Sequence, residues 1–341
     1  MASDEIRIGF VGCGGIGNHH LKCWQEIPGA KVVAVCDIVP ERAQKAADEC
    51  KAQPFTDLAD MLDKAEFDAA DICTFSGVHA ENAMMCIKAG KHAIVEKPID
   101  LDIKKVDKLI RMSDKSGLIL ACIFNNRAGS EILRANQLIR KGALGRLISG
   151  SAYIKWWRAQ SYYNSDAWRG TWALDGGCMS NQGIHAIDQL CWMCGPVKEV
   201  NCCHIRTAMH KMEAEDVGIA ILTFKNGAHG IIEATTCCYP GMGMKTEVYG
   251  TKGSAIFEGN SVVSFEVRGK KIELGEQERA KTDPRSDPLA VGLEGHMAQM
   301  VDFVNCIREG TQPLVSGRDA RVAVDALTKL YNAAGITKIG T

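Results

Sequence analysis

The chain has 341 residues, of which 46% are hydrophobic and 24% charged, as in an ordinary globular protein. Its net charge is −1 and it contains no block of Lys and Arg, which excludes the basic surfaces that bind nucleic acid or anionic membranes. A chain of this length is expected to form about two domains. We therefore expect a small molecule as its partner.

The N-terminal segment enters a strand pattern within a few residues and lacks the basic region and apolar core of a secretory signal. No apolar run has the length of a membrane span. We expect a cytoplasmic protein with no membrane partner. Its fifteen cysteines form no paired zinc-ligand spacing and are expected to be buried thiols, with a redox role left open for Cys191 and Cys194.

The first elements predict a dinucleotide site. A strand over 6–12 leads into "GCGGIG", which places Gly12, Gly14 and Gly17 in the GxGxxG spacing around Gly15 and Ile16, and a helical run follows. In this context the first glycine permits a tight turn, the second a close approach to pyrophosphate, and the third close packing of helix on strand. The phosphates would lie at the positive end of the helix.

The second strand, "KVVAVCD", ends at Asp37, twenty residues past the third glycine. A carboxylate there accepts hydrogen bonds from the adenosine ribose and repels the additional phosphate of NADP. The sequence therefore predicts NAD as the cofactor. Arg42 lies nearby and leaves NADP as the less favoured choice.

Strands and helices continue to alternate up to "LILACIF", which predicts a parallel, doubly wound sheet. Ligands of such sheets bind beyond the carboxyl ends of the strands. We expect additional cofactor contacts from residues at those ends, namely Thr74, Phe75, His79, Glu96 and Lys97.

Lys97 closes the apolar strand "HAIV" and is followed by Pro98, which restricts the backbone at that turn. A lysine at the mouth of a dinucleotide fold can hydrogen-bond a reacting oxygen and stabilise charge on it. Its position thus favours a catalytic role over that of a solvated surface residue.

The second half begins with a helix, a strand and a loop rich in aromatic and cationic residues. Aromatic faces with interleaved cations suit sugar rings, which stack by their C–H faces and hydrogen-bond through their hydroxyls. We expect Arg158 and Tyr162 to contact substrate. Trp168, with Arg169 and Trp172, fits either a substrate contact or packing at a domain interface.

The stretch "CMSNQGIHAIDQL" follows Gly176 and Gly177, a pair that would let the backbone approach a ligand closely. Read as one helix, it places Asn181, His185 and Asp188 on a single face. For Asp188 two roles are open: orienting His185 and contacting substrate, or making a structural hydrogen bond.

The remaining chain consists of short strand-like runs with Gly and Asn turns, which predict a mostly antiparallel sheet. One face of such a sheet would pack on helices, and the other would need a partner. The expected assembly is a homodimer or homotetramer.

Three motifs together resemble the Gfo/Idh/MocA oxidoreductases, which include glucose-fructose oxidoreductase and inositol dehydrogenases: "GCGGIG", "EKP" and "WRGTWALDGGCMSNQGIHAID". The resemblance extends over nearly the whole chain. It implies an N-terminal Rossmann domain, expected here over 1–124, and a C-terminal α/β domain with an open, mostly antiparallel sheet, expected over 125–341. It also implies that Lys97 is the active-site lysine, often followed by a cis bond to Pro98, and that His185 is the acid/base.

The chain departs from its relatives at two positions. Family members often carry aspartate four residues before the histidine, where this chain has Asn181, and an amide cannot take a proton from a hydroxyl. Phe75 stands where relatives often have proline. With Asn181 neutral, we expect His185 to do the proton transfer and Lys97 to assist, with the face that bears Asn181 and His185 closing over the nicotinamide.

The sequence therefore predicts an NAD-dependent enzyme, without a metal, that moves a hydride between nicotinamide and a secondary hydroxyl or ketone of a sugar, glycoside or inositol-like cyclitol. Two alternatives use the same residues. One is a redox-neutral glycosidase with tightly bound NAD, and the other is a catalytically silent sensor of sugar and NAD.

Overall fold

The computed structural model describes residues 5–275 and 292–340. The chain forms two compact units, the first from Met1–Asn125 with Leu293–Arg321 and the second from Asn126–Gly292 with Val322–Thr341. The domain limits expected from the sequence, 1–124 and 125–341, stay a prediction. None of the described helices combines the length and the apolar character needed to cross a membrane.

The first unit alternates strands and helices from its first element onward. In chain order these are β1 (Ile6–Val11), α1 (Gly15–Gln25), β2 (Ala30–Cys36), α2 (Pro40–Cys50), β3 (Gln53–Phe55), α3 (Leu58–Lys64), β4 (Ala69–Ile72), α4 (His79–Lys88), β5 (His92–Val95), α5 (Ile103–Ser116) and β6 (Leu120–Cys122). Two 3-10 turns, Ser76–Val78 and Asn125–Arg127, complete the segment.

The six strands form one parallel sheet in the order β3-β2-β1-β4-β5-β6. The order reverses between β1 and β4, which is the point where doubly wound sheets bind their ligands. Strands covered on both faces are expected to be continuously apolar, and β4 is buried throughout. The predicted Rossmann sheet is confirmed, and β3 and α3 are elements that the sequence analysis did not predict.

The second unit is built on a larger sheet. Its elements are α6 (Ser130–Arg140), β7 (Leu147–Lys155), α7 (Gln160–Asn164), α8 (Cys178–Asn181), α9 (Ile184–Cys194), β8 (Val197–Arg206), β9 (Val217–Phe224), β10 (His229–Thr235), β11 (Lys245–Gly250), β12 (Gly253–Glu258), β13 (Ser261–Val267) and β14 (Lys270–Lys271). The last two helices are α10 (Glu294–Glu309), which belongs to the first unit, and α11 (Gly317–Ala333), which has residues in both.

The eight strands follow the order β14-β13-β12-β11-β7-β10-β9-β8. Among the strand pairs of this sheet, β7 with β10 is parallel and the others are antiparallel, so the predicted mostly antiparallel sheet is confirmed. Burial alternates along β9, where Ala220 and Leu222 are buried and Ile219 and Ile221 are exposed. One face of the sheet therefore packs on the helices of the unit, as the period of two requires.

The stretch from 178 to 194 is two helices and not the single helix that the sequence predicted. The Gly183 amide donates to the carbonyl of Cys178, five residues back, at 2.7 Å. A β-carbon at Gly183 would also lie 2.9 Å from the backbone of Met179. This wider turn separates α8 from α9 and changes the register, so residues at offsets of zero, four and seven do not share one face.

The cysteines behave mostly as buried residues, as expected, and Cys191 and Cys194 are both buried in α9. Burial raises the pKa of the Cys194 thiol to about 12 and that of Cys191 still further. A thiol is reactive as its thiolate, so these two cysteines are held in their unreactive form.

Candidate active site

Two glycines of the loop in the first unit, Gly12 and Gly17, lie in close contact with neighbouring backbone. Gly12 has φ +98°, and a β-carbon there would lie 2.5 Å from the carbonyl oxygen of Cys73. A β-carbon at Gly17 would lie 2.0 Å from the carbonyl oxygen of Gly12. Both positions thus exclude every other residue: Gly12 because the backbone after β4 lies against it, and Gly17 because α1 packs directly on the end of β1.

Gly14 requires a different explanation. Its φ of −76° is open to any residue, and a β-carbon there would meet no atom within 4 Å. Neither the backbone nor the packing of the chain demands glycine at this position. Its place at the N-terminus of α1, beside Gly15 and Ile16, fits a cradle in which a pyrophosphate approaches the main chain.

Asp37 follows β2 and faces the same loop. Its two carboxylate oxygens accept hydrogen bonds from the amides of Cys13, at 2.7 Å, and Val39, at 2.8 Å. These two bonds fix the carboxylate beside the glycine loop, where the ribose of a dinucleotide would lie. The residues of this region therefore fit NAD.

Lys97 lies just beyond the carboxyl end of β5. It is half-buried, whereas its neighbours from Ala93 to Glu96 and from Pro98 to Asp100 are buried, and the peptide bond to Pro98 is cis. The Lys97 amide donates to the carboxylate of Glu96 at 3.0 Å. The backbone that carries the lysine is thus held by a buried acid, and Glu96 acts through this contact.

The neighbouring strand end holds three of the residues predicted to contact the cofactor. Thr74 and Phe75 are half-buried after β4, and the Thr74 hydroxyl accepts a hydrogen bond from Asn82. The ring nitrogens of His79 lie 2.7 Å from the Pro98 carbonyl and 3.1 Å from the Thr74 carbonyl. His79 therefore joins the ends of β4 and β5 through the backbone.

In the second unit, Asn181 and His185 are half-buried residues in helices that are otherwise almost entirely buried. The other residues of α8 are buried, and in α9 only His185 and Trp192 are not. Asn181 and His185 are thus the polar side chains of α8 and α9 that remain partly accessible to solvent.

Tyr162 is the centre of the aromatic and cationic cluster. Its phenol oxygen accepts hydrogen bonds from Arg169 at 2.7 Å and from Gln182 at 3.3 Å, and a hydrogen bond joins it to Asn181. Burial raises the pKa of the phenol, although the charge of Arg169 opposes this shift. The tyrosine is therefore protonated at neutral pH.

The other predicted residues of the loop belong to the same cluster. The guanidinium of Arg158, which is buried, lies 5.6 Å from the ring of Tyr162 and 5.1 Å from that of Trp156. The guanidinium of Arg169 stacks between Tyr162 and Trp168, at 4.2 and 4.6 Å. The structure thus brings Arg158, Tyr162, Trp168 and Asn181 together within this unit.

A buried carboxylate, Asp175, stands next to Asn181 and was not found from the sequence. It accepts a hydrogen bond from the Asn181 side chain and another, at 2.8 Å, from the amide of Gly170. Because a carboxylate only accepts hydrogen bonds, the Asn181 amide must turn its nitrogen toward Asp175. A negative charge therefore lies beside position 181, although the residue at that position is a neutral amide.

The glycine pair before α8 serves packing within the chain, contrary to the expectation of close ligand approach. A β-carbon at Gly177 would lie 1.8 Å from a carboxylate oxygen of Glu215, and one at Gly176 would lie 2.2 Å from the hydroxyl of Ser180. Glu215 accepts hydrogen bonds at 2.9 Å from the amide of Met179 and the hydroxyl of Tyr331. Glu215 thus holds α8 in place.

Asp188 points into the protein and forms a buried ion pair with Arg127. Its two oxygens accept from Nε, at 2.8 Å, and Nη2, at 2.5 Å, of the guanidinium, and both side chains are nearly inaccessible. Such a bidentate pair satisfies both carboxylate oxygens. The geometry favours the structural alternative for Asp188 over the predicted substrate contact.

Comparison with known proteins identifies the family. Residues 6–124 match the model of the oxidoreductase family with an NAD-binding Rossmann fold, and residues 132–256 match the GFO/IDH/MocA C-terminal domain. The chain belongs to the Gfo/Idh/MocA oxidoreductases. The predicted family, the fold, NAD as cofactor and the class of NAD-dependent dehydrogenase are thereby confirmed.

Three relatives illustrate the similarity. The WlbA dehydrogenase of Bordetella pertussis, solved with NADH and UDP-GlcNAcA, is 30% identical with a TM-score of 0.85, and 97% of each chain is covered. Myo-inositol 2-dehydrogenase of Thermotoga maritima is 26% identical, over 94% of this chain and 93% of the relative. Scyllo-inositol 2-dehydrogenase (NAD(+)) of Bacillus subtilis is 25% identical, over 94% and 92%.

Replacing Asp37 is expected to weaken NAD binding and the preference for NAD over NADP. In Asp37→Ser the charge-assisted hydrogen bonds to ribose are lost and the repulsion of the 2′-phosphate disappears, so the ratio of kcat/KM values for NAD and NADP should fall about 10- to 100-fold. Steady-state kinetics with both cofactors measures this. Asp48→Ser, on the exposed side of α2, is the control, and an unchanged ratio in Asp37→Ser would contradict the role.

Glu215 is expected to make stability depend on pH. Burial raises its pKa from about 4.5 to about 7. Between these values the folded chain holds a proton that the unfolded chain has released, so stability falls as the pH rises through this window. Glu215→Gln removes this effect, and its stability relative to the wild type should increase by on the order of 2–3 kcal/mol between pH 5 and 8.

Urea denaturation at several pH values in this window tests the role of Glu215. Glu213→Gln, which changes an exposed glutamate two residues earlier, is the matched control and should leave the pH dependence unchanged. Parallel stability profiles for the wild type and Glu215→Gln would show that Glu215 titrates normally.

Proposed function

We propose that the chain transfers a hydride between NAD and a secondary hydroxyl or ketone of a sugar, glycoside or cyclitol. The observation that carries the proposal is the half-buried pair Asn181 and His185, set in otherwise buried helices beside the cluster of Tyr162 and two arginines. Such a surface offers hydrogen-bond donors and acceptors together with aromatic faces, which is what a polyol ring requires.

In this proposal His185 and Lys97 divide the work on the reacting hydroxyl. His185 accepts the hydroxyl proton, since a neutral imidazole is a base near neutral pH. The Lys97 ammonium hydrogen-bonds the oxygen and stabilises the negative charge that grows on it as the proton leaves. Bound NAD supplies the hydride acceptor, at C4 of the nicotinamide.

We assign substrate selection to the cluster around Tyr162. Asn181, held through its nitrogen by Asp175, would present its oxygen as an acceptor for a ring hydroxyl. Tyr162 and Arg158 would hydrogen-bond further hydroxyls, and Trp168 would stack on the ring. Asp188 is not part of this assignment, because Arg127 engages both of its oxygens.

A second candidate is a nucleotide-linked sugar acid. It is favoured by the similarity to the WlbA dehydrogenase that was solved with UDP-GlcNAcA, at 30% identity and a TM-score of 0.85. The guanidinium groups of Arg158 and Arg169, both within 6 Å of the Tyr162 ring, suit a carboxylate or phosphate on the substrate. Neither the glycosidase nor the silent sensor has comparable support.

We also propose that the chain works as a homodimer or homotetramer in the cytoplasm. The exposed face of the large sheet carries Ile219, Ile221 and Ile231, each more than 40% exposed, and Ile221 pairs directly with Ile231. Apolar side chains adjacent on an open sheet favour burial against a second sheet. The many buried thiols are consistent with a reducing compartment such as the cytoplasm. Light scattering should give a molar mass of two or four times that of the 37.0 kDa chain.

Turnover of a panel of polyols tests the enzymatic proposal. We expect NADH to form from NAD with at least one inositol, hexose, glycoside or nucleotide-linked sugar acid. In His185→Asn and Lys97→Met, kcat should fall about 100- to 10,000-fold, as for the loss of a general base or of a charge-stabilising group. The absorbance of NADH measures the rates.

His204→Asn and Lys88→Met, which change exposed residues, are the matched controls and should retain wild-type rates. Turnover that survives in both His185→Asn and Lys97→Met would contradict the assigned roles. Release of a sugar from glycosides without any NADH would favour the redox-neutral glycosidase instead.

A further inference from the structure

His20, on α1, is fully buried between two carboxylates of the first unit. Its Nδ1 lies 3.0 Å from the Asp71 carboxylate and its Nε2 lies 3.1 Å from that of Glu96. The indole of Trp24, one turn further along the same helix, donates to the same oxygen of Asp71 at 2.7 Å. Side chains of α1 thus reach the strand end that precedes Lys97.

The contacts determine the protonation of His20. A carboxylate oxygen accepts hydrogen bonds, so an imidazole that donates to both Asp71 and Glu96 carries a proton on each nitrogen. The sulfur of Cys73 also lies 3.2 Å from Nδ1. Burial lowers the pKa of His20, but Cys73 and Asp71 raise it well above its ordinary value. Burial also raises the pKa of Glu96, yet its bond to His20 brings it down to about 2. The pair is therefore a buried ion pair.

The second oxygen of Glu96 makes the contact that matters for the reaction. It accepts a hydrogen bond from the backbone amide of Lys97 at 3.0 Å. The carboxylate therefore connects the ring of His20 to the main chain of the lysine. If the plane of this carboxylate turned, the Lys97 amide would lose its acceptor and the lysine backbone would move.

We propose that His20 is a positioning residue: as a buried imidazolium it fixes the orientation of the Glu96 carboxylate, and through it the backbone that presents Lys97. This role rests on the proposed function of Lys97. His20 belongs to the helix that begins at the glycine loop, so the same helix that faces the cofactor phosphates also sets the geometry of the lysine. A displacement of about 1 Å at a reacting group can cost about 100-fold in rate.

A metal ion is the competing explanation for these residues. His20, Glu96 and His296 offer one ligand atom each within 4.8 Å of one another, and the ring nitrogen of His296 lies 3.8 Å from Glu96. An imidazole nitrogen that donates a proton to Glu96 has no lone pair for a metal. The short contact between His20 and Glu96 therefore favours the ion pair.

The test combines kinetics with the amide signal of Lys97. In His20→Gln and in Glu96→Gln we expect kcat for the alcohol to fall about 100-fold, while KM for the alcohol and Kd for NAD change less than about threefold because the groups that bind them are untouched. The amide resonance of Lys97, identified by lysine-selective labelling and the loss of its signal in Lys97→Arg, should shift in both variants.

His92→Gln is the matched control. His92 begins the same strand, β5, and accepts a hydrogen bond from the amide of Ile119 at 2.9 Å, so its loss perturbs the strand far from the lysine. This variant should keep both the wild-type kcat and the Lys97 resonance. If His20→Gln does not fold, Asp71→Asn takes its place, because it removes the charge opposite Nδ1 of His20 and leaves Glu96 and Lys97 unchanged; it should also shift the Lys97 resonance.

The outcomes separate this inference from the proposed function. A Lys97 resonance unmoved in His20→Gln would overturn the positioning role, whatever the activity. A wild type without alcohol turnover would refute the proposed function, while the resonance still decides whether His20 holds the lysine backbone. One equivalent of a metal in the purified protein that is lost in His20→Gln would also overturn the inference, because the imidazolium cannot be its ligand.

Discussion

The first unit depends on the approach of α1 to the end of β1. The α-carbon of Gly17 faces the carbonyl of Gly12 so closely that a side chain would lie 2.0 Å from its oxygen. Because of this contact, α1 begins beside the end of β1, where the first backbone amides of the helix can bind a phosphate. It also brings Trp24 and His20, further along the helix, to Asp71 and Glu96. One steric constraint thus places both the helix end that faces the cofactor and the side chains that contact the residues beside Lys97.

The side chains to which we assign the chemistry have similar local environments. Lys97, Asn181 and His185 are half-buried among buried neighbours. Two of them contact a buried carboxylate: the Lys97 backbone amide donates to Glu96, and the Asn181 side chain donates to Asp175. In such surroundings hydrogen bonds are stronger than in water, and an unpaired polar group is costly. Within its own unit, each of these two acids therefore restricts the group that it contacts, which is the kind of support that preorganised catalysis requires.

Features encoded within a short stretch could be predicted from the sequence. The glycine spacing, the strand that ends at Asp37 and the period of two in β9 each follow from local rules. Partners distant in the chain could not. The choice between a site role and a structural role for Asp188 depends on Arg127, 61 positions away, and the need for glycine at position 177 depends on Glu215. The break between α8 and α9 at Gly183 could not be predicted, because the spacing of apolar residues does not reveal a single turn closed by a hydrogen bond to the fifth residue back.

The most direct test is to trace the hydrogen atom on the carbon that carries the reacting hydroxyl. A polyol substrate labelled with deuterium on the carbon of its reacting hydroxyl is incubated with the enzyme and NAD, and the products are examined by NMR. Hydride transfer predicts one deuterium at C4 of the nicotinamide for each ketone formed, while the hydroxyl proton is released to solvent. Deuterium in the water, or ketone without deuterated NADH, would contradict direct transfer between substrate and NAD.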